Sequence, residues 1–195
     1  ADVTGVQTCA LPIYNGHLHR GFKPVHWCLD CGSALAEAEV EYRDKQSSAV
    51  DVAFAFVDVA EAARRLGSGA VDRLELAIWT TTPWTLPANR GVALAADLEY
   101  VVLKAGDRYV LVAEALAEAC AQRFGFENVV MDGSARGSDL EGLLLAPPFN
   151  EAPVPIVLGE HVTTEAGTGC VHTAPAHGLE DFEMGRRYDL EVYNP

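Results

Sequence analysis

The segment RLELAIWTTTPWTLPANRG, residues 73–91, carries the strongest structural signal in the sequence. It begins as a strand-like apolar run that leads into three consecutive threonines, Thr80–Thr82, and threonine itself favours strands. Two prolines and an Asn-Arg-Gly turn at 89–91 then end the strand. Because side chains alternate along a strand, we expect Thr80 and Thr82 on one face and Thr81 on the other. The segment therefore predicts a strand that ends in a row of hydroxyl groups.

The residues alone leave two interpretations of this row open. In the first, it is a β-branched edge strand with a purely structural role. In the second, it is the wall of a pocket, in which the hydroxyls bind polar atoms of a substrate and the methyl groups limit the size of its side chain.

Short strand signals flank this segment on both sides. EYVVLKAG and DRYVLVA, residues 99–113, predict a hairpin because they are joined by the turn-forming pair Gly106-Asp107. Further strand signals, found by alternation of apolar and polar residues, lie at 49–59 (AVDVAFAFVDV), at the end of 34–42 (ALAEAEVEY), around Val129 and around Ile156.

Helix signals are fewer. DVAEAARRLG, residues 58–67, predicts a short helix with Asp58 as its N-cap and Gly67 as its stop. EALAEACAQRFG, residues 114–125, predicts a helix closed by Gly125, and a third helix is expected at about 179–188. Many short strands without regular βαβ alternation predict an α+β fold: a curled, barrel-like β-sheet with a few peripheral helices.

The N-terminal part differs from the rest in pattern. Residues 1–13 have no helical or strand period, and we interpret them as a non-native or disordered start. Residues 14–43 form a small connective strand and turn region around Cys28-Leu29-Asp30-Cys31, and residues 44–195 form the main domain. A zinc ribbon needs two Cys-x-x-Cys pairs, so Cys28 and Cys31 are either a zinc half-site completed from outside the chain or a pair of unmetallated thiols.

Composition limits the classes of protein. Acidic residues number 28 against 14 basic ones, a formal net charge of −14, which disfavours extensive contact with nucleic acid but not a pocket for one end of it. An odd number of cysteines, five, without a secretion signal indicates reduced thiols. No apolar run approaches the roughly 20 residues that span a bilayer, so we expect a soluble, cytoplasmic protein that does not contact membranes.

The segment GTGCVHTAPAHGLED, residues 167–181, is the second candidate for function. His172 ends a strand, His177 lies in a turn, and Asp181 falls in the first turn of a helix, where the dipole favours a carboxylate. In the purely structural interpretation, Asp181 is a helix cap and His172 is an ordinary, partly buried imidazole. One alternative is a metal site formed by His172, His177 and Asp181, with Cys170 as a further candidate ligand, although the spacing matches no zinc signature. Another is a carboxylate that captures an ammonium group beside a hydrolytic centre.

Together with KPVHWCLDCGSALAEAEVEY, residues 23–42, these two segments resemble the inserted editing domain of bacterial isoleucyl-tRNA synthetases. The resemblance covers residues 15–195, and the Thr-Pro-Trp-Thr-Leu-Pro-Ala-Asn sequence distinguishes the isoleucyl branch from its valyl and leucyl relatives. The two ATP-binding signatures of the synthetase core, of the His-Ile-Gly-His and Lys-Met-Ser-Lys-Ser types, are missing. The resemblance therefore implies a fragment that proofreads, while aminoacylation with ATP and Mg²⁺ belongs to the parent enzyme.

The resemblance also implies the substrate and the residues that handle it. Hydrolysis of Val-tRNA(Ile), and of valyl-adenylate as a second substrate, would correct a discrimination worth only about 1–3 kcal/mol per methylene, a general value for which isoleucine against valine is itself the standard example. Asp181 would anchor the α-ammonium, His172 would border the side-chain pocket, and Thr80–Thr82 would contact the terminal adenosine and position water. The remaining implied substrate-binding residues are Trp84, Thr85 and Asn89.

The partners implied are the 3′ end of tRNA(Ile) carrying valine and the rest of the synthetase, with the chain itself a monomer. The resemblance implies no cofactor for editing. No Ser-His-Asp or Cys-His nucleophile is visible, so catalysis would rest on oriented water and electrostatics rather than on a covalent intermediate. Two rival hypotheses stay open: a metal-dependent hydrolase that uses His172, His177 and Asp181, and an inactive fragment that only binds the tRNA end.

Overall fold

The computed structural model describes residues 13–15, 17, 21–44, 46–69, 71–149 and 151–195. The chain divides into two compact units, residues 1–40 and residues 41–195. The start that we interpret as non-native, residues 1–13, lies outside the described residues except for Ile13. Within the described ranges, no helix combines the length and the apolar character needed to cross a membrane.

The first unit contains a small antiparallel hairpin. Strands β1 (His26–Cys28) and β2 (Ser33–Leu35) pair through a turn in which Gly32 has φ of 63°, a conformation that favours glycine. The strand predicted at the end of residues 34–42 is wrong, because a 3₁₀ helix, Glu37–Glu39, follows β2. The Glu39 carboxylate accepts a hydrogen bond from the Ala36 N–H at 2.8 Å, and this local bond favours the turn over an extended chain.

The second unit is built on a nine-stranded mixed sheet with the order β11-β5-β10-β9-β3-β4-β7-β6-β8. Its strands are β3 (Val50–Phe56), β4 (Glu75–Thr80), β5 (Gly91–Leu94), β6 (Glu99–Ala105), β7 (Arg108–Ala113), β8 (Val130–Arg136), β9 (Leu144–Ala146), β10 (Val154–Leu158) and β11 (Val171–Thr173). Pairing is antiparallel except for β10 with β5 and β4 with β7. The predicted β6–β7 hairpin is confirmed, with Ala105 opposite Arg108 and Gly106 at φ of 62°.

The sheet curls, because β11 at one edge also packs beside β4 in its middle. The predicted α+β fold with a curled, barrel-like sheet is therefore confirmed. Its main core is a cluster of fully buried side chains from most of the strands, including Phe54, Leu76, Ile78, Leu94, Leu111, Leu145 and Ile156. The curl matters for function because it brings the C-terminal end of β4, which carries Thr80, towards the strand that carries His172.

Short helices surround the sheet: α1 (Val59–Leu66), α2 (Ala117–Arg123), α3 (Gly137–Leu140) and α4 (Leu179–Tyr188). The prediction for α1 is confirmed, since Asp58 accepts a hydrogen bond from the Glu61 N–H and Gly67 ends the helix at φ of 62°. The predicted helix at 114–125 begins as a 3₁₀ turn, Glu114–Leu116, before α2. Gly125, at φ of 66°, follows α2 as expected.

Candidate active site

The threonine row lies at a turn rather than along a strand. Strand β4 ends at Thr80, and Pro83 opens a 3₁₀ helix, Pro83–Ala88, so the expectation of a strand through Thr82 is wrong. Thr80 and Thr82 still share one side, since their hydroxyl oxygens lie 3.1 Å apart and the Thr82 N–H donates to the Thr80 hydroxyl. The turn at Thr81, and not strand alternation, brings them together. Thr80 is buried, whereas Thr81 and Thr82 are exposed.

A serine that the sequence analysis did not select holds this turn. The Ser47 hydroxyl donates to the Thr81 carbonyl oxygen at 2.7 Å. Ser47 lies in a polar stretch before β3 and follows no recognisable motif, so no pattern in the sequence could have identified it. Its bond fixes the backbone on which the threonine side chains stand.

A hydrogen bond joins the two segments that the sequence analysis selected. The Thr85 hydroxyl lies 3.0 Å from His172 Nε2, and it donates to the Thr82 carbonyl oxygen at 2.8 Å. A hydroxyl carries one proton, so with Thr82 as its acceptor the imidazole donates from Nε2. Nδ1 of His172 is then an unprotonated acceptor; this atom is buried and has no hydrogen-bond partner among the described residues.

His172 is electrically neutral in this site. Burial disfavours the imidazolium form, and the charge of nearby His177 adds to the effect, so the pKa of His172 falls to about 4. At neutral pH the ring therefore presents a rigid, uncharged surface. Strand β11 holds it in register opposite Val92 of β5.

Asp181 connects the end of β11 to α4. Its Oδ2 accepts a hydrogen bond from the Ala174 N–H at 3.0 Å, while the N-cap residue of α4, Gly178, makes no side-chain cap bond. Asp181 is thus not the helix cap of the purely structural interpretation. Burial raises the pKa of its carboxyl group, against the lowering effects of the Ala174 N–H and the charge of His161. A nearby cation would therefore stabilise the ionised form of this partly buried carboxylate.

Hydrogen bonds link part of the set of selected residues. Thr82, Thr85 and His172 form a continuous hydrogen-bonded series, and Ala174, the partner of Asp181, follows His172 by two residues. Trp84 stands 65% exposed on the adjoining 3₁₀ helix. Asn89 is buried instead and donates to the Gly91 carbonyl oxygen, which supports the turn into β5.

Two cavities of the second unit lie beside α4. One of about 580 Å³ is lined by parts of residues 95–98 and 158–165, and one of about 280 Å³ lies over Glu180, Glu183 and His161; Glu160 and Arg187 border both. Neither cavity is lined by Thr80–Thr82 or Asp181. The hydrogen-bonded series of Thr82, Thr85 and His172 therefore lies outside the linings of these two cavities.

Metal-binding geometry is not apparent in the described part of the chain, where no group of three or more His, Cys, Asp or Glu side chains could hold an ion. In the first unit, the Cys31 N–H donates to Cys28 Sγ at 3.3 Å. This bond and the Cys31 side chain lower the pKa of the Cys28 thiol, which favours the thiolate that a zinc site needs. Zinc at Cys28 and Cys31 stays a prediction.

Comparisons with known proteins identify the family of this chain. Residues 64–194 match the family model described as "Leucyl-tRNA synthetase, editing domain". Isoleucine–tRNA ligase of Alcanivorax borkumensis is 60% identical over 186 residues, which are 93% of this chain and 20% of that protein. The relative of the same name from Halorhodospira halophila is also 60% identical, over 92% of this chain and 20% of its own length. The chain spans about a fifth of the length of these curated relatives.

Solved structures agree on the fold. The editing domain of P. falciparum cytosolic leucyl-tRNA synthetase superposes with a TM-score of 0.62 at 9% identity, over 72% of this chain and 67% of that one. The corresponding P. knowlesi domain gives 0.61 at 12% identity, over 77% and 68%. At such low identity the likeness shows the fold alone, but the family model covers more than half of the sequence as well. The chain therefore belongs to the editing-domain family of the leucyl-tRNA synthetase type.

Proposed function

We propose that this chain is the proofreading domain of an isoleucine–tRNA ligase and that it hydrolyses the ester of tRNA(Ile) mischarged with valine. The observation that carries the proposal is the Thr85–His172 hydrogen bond, because it unites the threonine turn with the segment that ends at Asp181. The identity to isoleucine–tRNA ligases over nearly the whole chain supports the choice of amino acid. Valyl-adenylate is a second substrate under the same proposal.

Asp181 binds the α-ammonium of the aminoacyl group in this mechanism. One carboxylate oxygen, Oδ2, is committed to the Ala174 N–H, which leaves Oδ1 to accept from the ammonium. Burial has already removed much of the water around the carboxylate, so a cation restores interactions that solvent no longer supplies. Charge-assisted hydrogen bonds of this type are roughly twice as strong as neutral ones. The pairing therefore orients the ester for attack.

His172 limits the size of the side chain that the site accepts. A neutral, buried ring held by Thr85 and by the β5 pairing cannot move aside cheaply. Valine fits where isoleucine, with one more methylene, meets the ring. Exclusion by a rigid wall can exceed the small gain that an apolar pocket obtains from one methylene.

Water and the terminal adenosine are handled by the threonine turn. Thr82 is exposed and its hydroxyl is bonded to that of Thr80, so the pair can exchange this mutual bond for bonds to water or ribose at little cost. The Thr81 carbonyl is held by Ser47, which keeps the turn in place during that exchange. The mechanism is one of orientation, with the substrate's own ribose hydroxyl as a participant in proton transfer.

Hydrolysis of Val-tRNA(Ile) and Ile-tRNA(Ile) by the purified chain tests the proposal directly. We expect hydrolysis of the valyl ester at least tenfold faster than that of the isoleucyl ester, with EDTA causing no loss. Equal rates would contradict size-selective proofreading. Loss of activity with EDTA, restored by added metal, would support the metal-dependent hydrolase that uses His172, His177 and Asp181. Binding of the tRNA end in a filter assay without turnover would identify an inactive fragment.

A further inference from the structure

The loop Gly167–Gly169, which leads into β11, is held by an unusual series of donors. Its successive carbonyl oxygens accept hydrogen bonds from Arg123 Nη2 at 3.0 Å, from the Ala113 N–H at 2.8 Å and from the Tyr100 hydroxyl at 2.8 Å. The first of these donors is a charged side chain from α2, far from the loop in sequence. The position of the loop therefore depends on a helix that contains none of the selected site residues.

Arg123 is itself held in place by an acidic residue of β3. Its Nε and Nη2 atoms donate to the two carboxylate oxygens of Asp51 at 2.7 and 2.9 Å. A planar guanidinium can serve a carboxylate and a carbonyl at once without changing rotamer. Asp51, Arg123 and the Gly167 carbonyl oxygen, which we call the loop clamp, thus join β3, α2 and the loop.

The loop clamp lies over the tryptophan that precedes the threonine turn. Asp51 is directly opposite Trp79 in the β3–β4 pair, so the two side chains share a face of the sheet. Gly167 packs closely against the Trp79 side chain, since a Cβ atom at this position would lie 3.0 Å from Cε3 of the indole. Its φ of 84° also favours glycine. One cluster therefore fixes the residue before Thr80 and the loop that leads to His172.

We propose that Arg123, held by Asp51, is a positioning residue for deacylation: through the Gly167 carbonyl it sets the distance between the threonine turn and His172. The inference rests on the proposed function. Arg123 touches no substrate in this view and acts only through the loop. The Ala113 and Tyr100 bonds remain when Arg123 is lost, as does a longer bond of 3.4 Å from the Cys120 thiol to the Gly167 carbonyl oxygen. The loop therefore shifts without unfolding.

Arg123→Met tests the inference, with Arg64→Met as the matched control. Arg64 also makes an ion pair, with Glu61 at 2.7 Å on α1, but no bond to the loop. A misplacement of about 1 Å can cost up to roughly 100-fold in rate, so we expect kcat for Val-tRNA(Ile) to fall about tenfold in Arg123→Met, with KM little changed. The preference for the valyl over the isoleucyl ester should shrink as well. Arg123→Lys, which keeps one donor for Gly167, should recover part of the rate.

Hydrogen exchange supplies a second readout that does not depend on activity. In Arg123→Met we expect faster exchange in a peptide spanning residues 167–173, with exchange in the β6–β7 hairpin unchanged, whereas Arg64→Met should leave both unchanged. A wild-type chain that hydrolyses Val-tRNA(Ile), combined with normal kinetics and selectivity in Arg123→Met, would overturn the inference alone. A wild-type chain that fails to deacylate would overturn the proposed function and the inference with it. Equal rate losses in both variants would also overturn the inference, since they would indicate general loosening.

Discussion

The two segments of the candidate site, the threonine turn and the segment from β11 to α4, differ in how far their polar side chains are buried. In the threonine turn, Thr80–Thr82, the hydroxyl of buried Thr80 bonds to that of exposed Thr82, and Thr81 is exposed as well. In the segment from β11 to α4, His172 is buried and Asp181 partly so. Burial shifts both of their pKa values towards the neutral forms, down for the imidazole and up for the carboxyl.

This difference in burial indicates how much each segment should contribute to substrate binding and to the rate of hydrolysis. Exposed hydroxyls can change partners at little cost, so the threonine turn should contribute small increments to binding and rate. The buried segment has already lost solvent, so each of its groups interacts strongly with a ligand and weakens the fold if left uncompensated. We expect variants of the buried segment to have the larger effects on activity.

The largest effect is expected for Asp181→Asn. The amide keeps the shape and an acceptor for the Ala174 N–H but cannot pair with an ammonium charge. Removing one partner of a desolvated charge pair costs about 2–5 kcal/mol, so kcat/KM for Val-tRNA(Ile) should fall about 100-fold or more. Glu180→Gln, the neighbouring carboxylate on α4, is the control and should keep normal rates. Near-normal deacylation by Asp181→Asn would remove this residue from the mechanism.

His172→Ala should change selectivity more than rate. Without the ring the isoleucyl ester gains room, and the preference for the valyl ester should narrow by about tenfold, within the 1–3 kcal/mol that one methylene is worth. Competing hydrolysis of the two charged tRNAs measures this ratio. Val92→Ala, at the buried position opposite His172 in β5, controls for loosened packing. If both variants reduce the ratio of valyl to isoleucyl ester hydrolysis equally, His172 does not limit the size of the side chain that the site accepts.

Smaller losses are expected at the threonine turn. Thr80→Val and Thr82→Val each remove one hydroxyl while keeping the branched shape, and a neutral hydrogen bond contributes about 0.5–1.5 kcal/mol. Rates of Val-tRNA(Ile) hydrolysis should therefore fall about two- to tenfold in each variant. Thr163→Val, at an exposed threonine that lines the larger cavity, which the threonine turn does not line, should have no effect. A loss in Thr82→Val as large as that in Asp181→Asn would reverse the proposed division of work.

The smallest expected effect is that of Asp181→Asn on the free energy of unfolding and on how that free energy depends on pH. Because the folded-state pKa of Asp181 is raised, its ionised form destabilises the fold above that pKa, and the penalty disappears as pH falls through it. Asp181→Asn should accordingly be slightly more stable than the wild type at pH 7, with the difference shrinking towards acid pH. Urea unfolding at several pH values measures this. A variant less stable at pH 7, or a gap that grows on acidification, would show that Asp181 is not penalised by burial.

Local patterns predicted the local structure well. The β6–β7 hairpin and α1 agree with expectation because Gly106-Asp107, Asp58 and Gly67 act within a few residues of themselves. Predictions were wrong where a local competitor or a tertiary contact intervened. The Glu39 carboxylate turned a predicted strand into a 3₁₀ helix, and Pro83 ended β4 at Thr80. Of the interpretations left open for Asp181, the helix cap is not observed, because its carboxylate accepts from the Ala174 N–H.

The sequence by itself determined the fold class and identified Thr80–Thr82, His172 and Asp181 as candidate site residues. It also carries the family resemblance from which their roles were inferred. All of these depend on residue type and spacing alone. Only the tertiary structure decided what they touch. The bond from Thr85 to His172 spans 87 residues, and Arg123 reaches 72 residues back to Asp51 and 44 residues on to Gly167. Such contacts depend on how the sheet curls and on which side chains its packing brings within 3 Å or so of each other, a global outcome that no short pattern encodes.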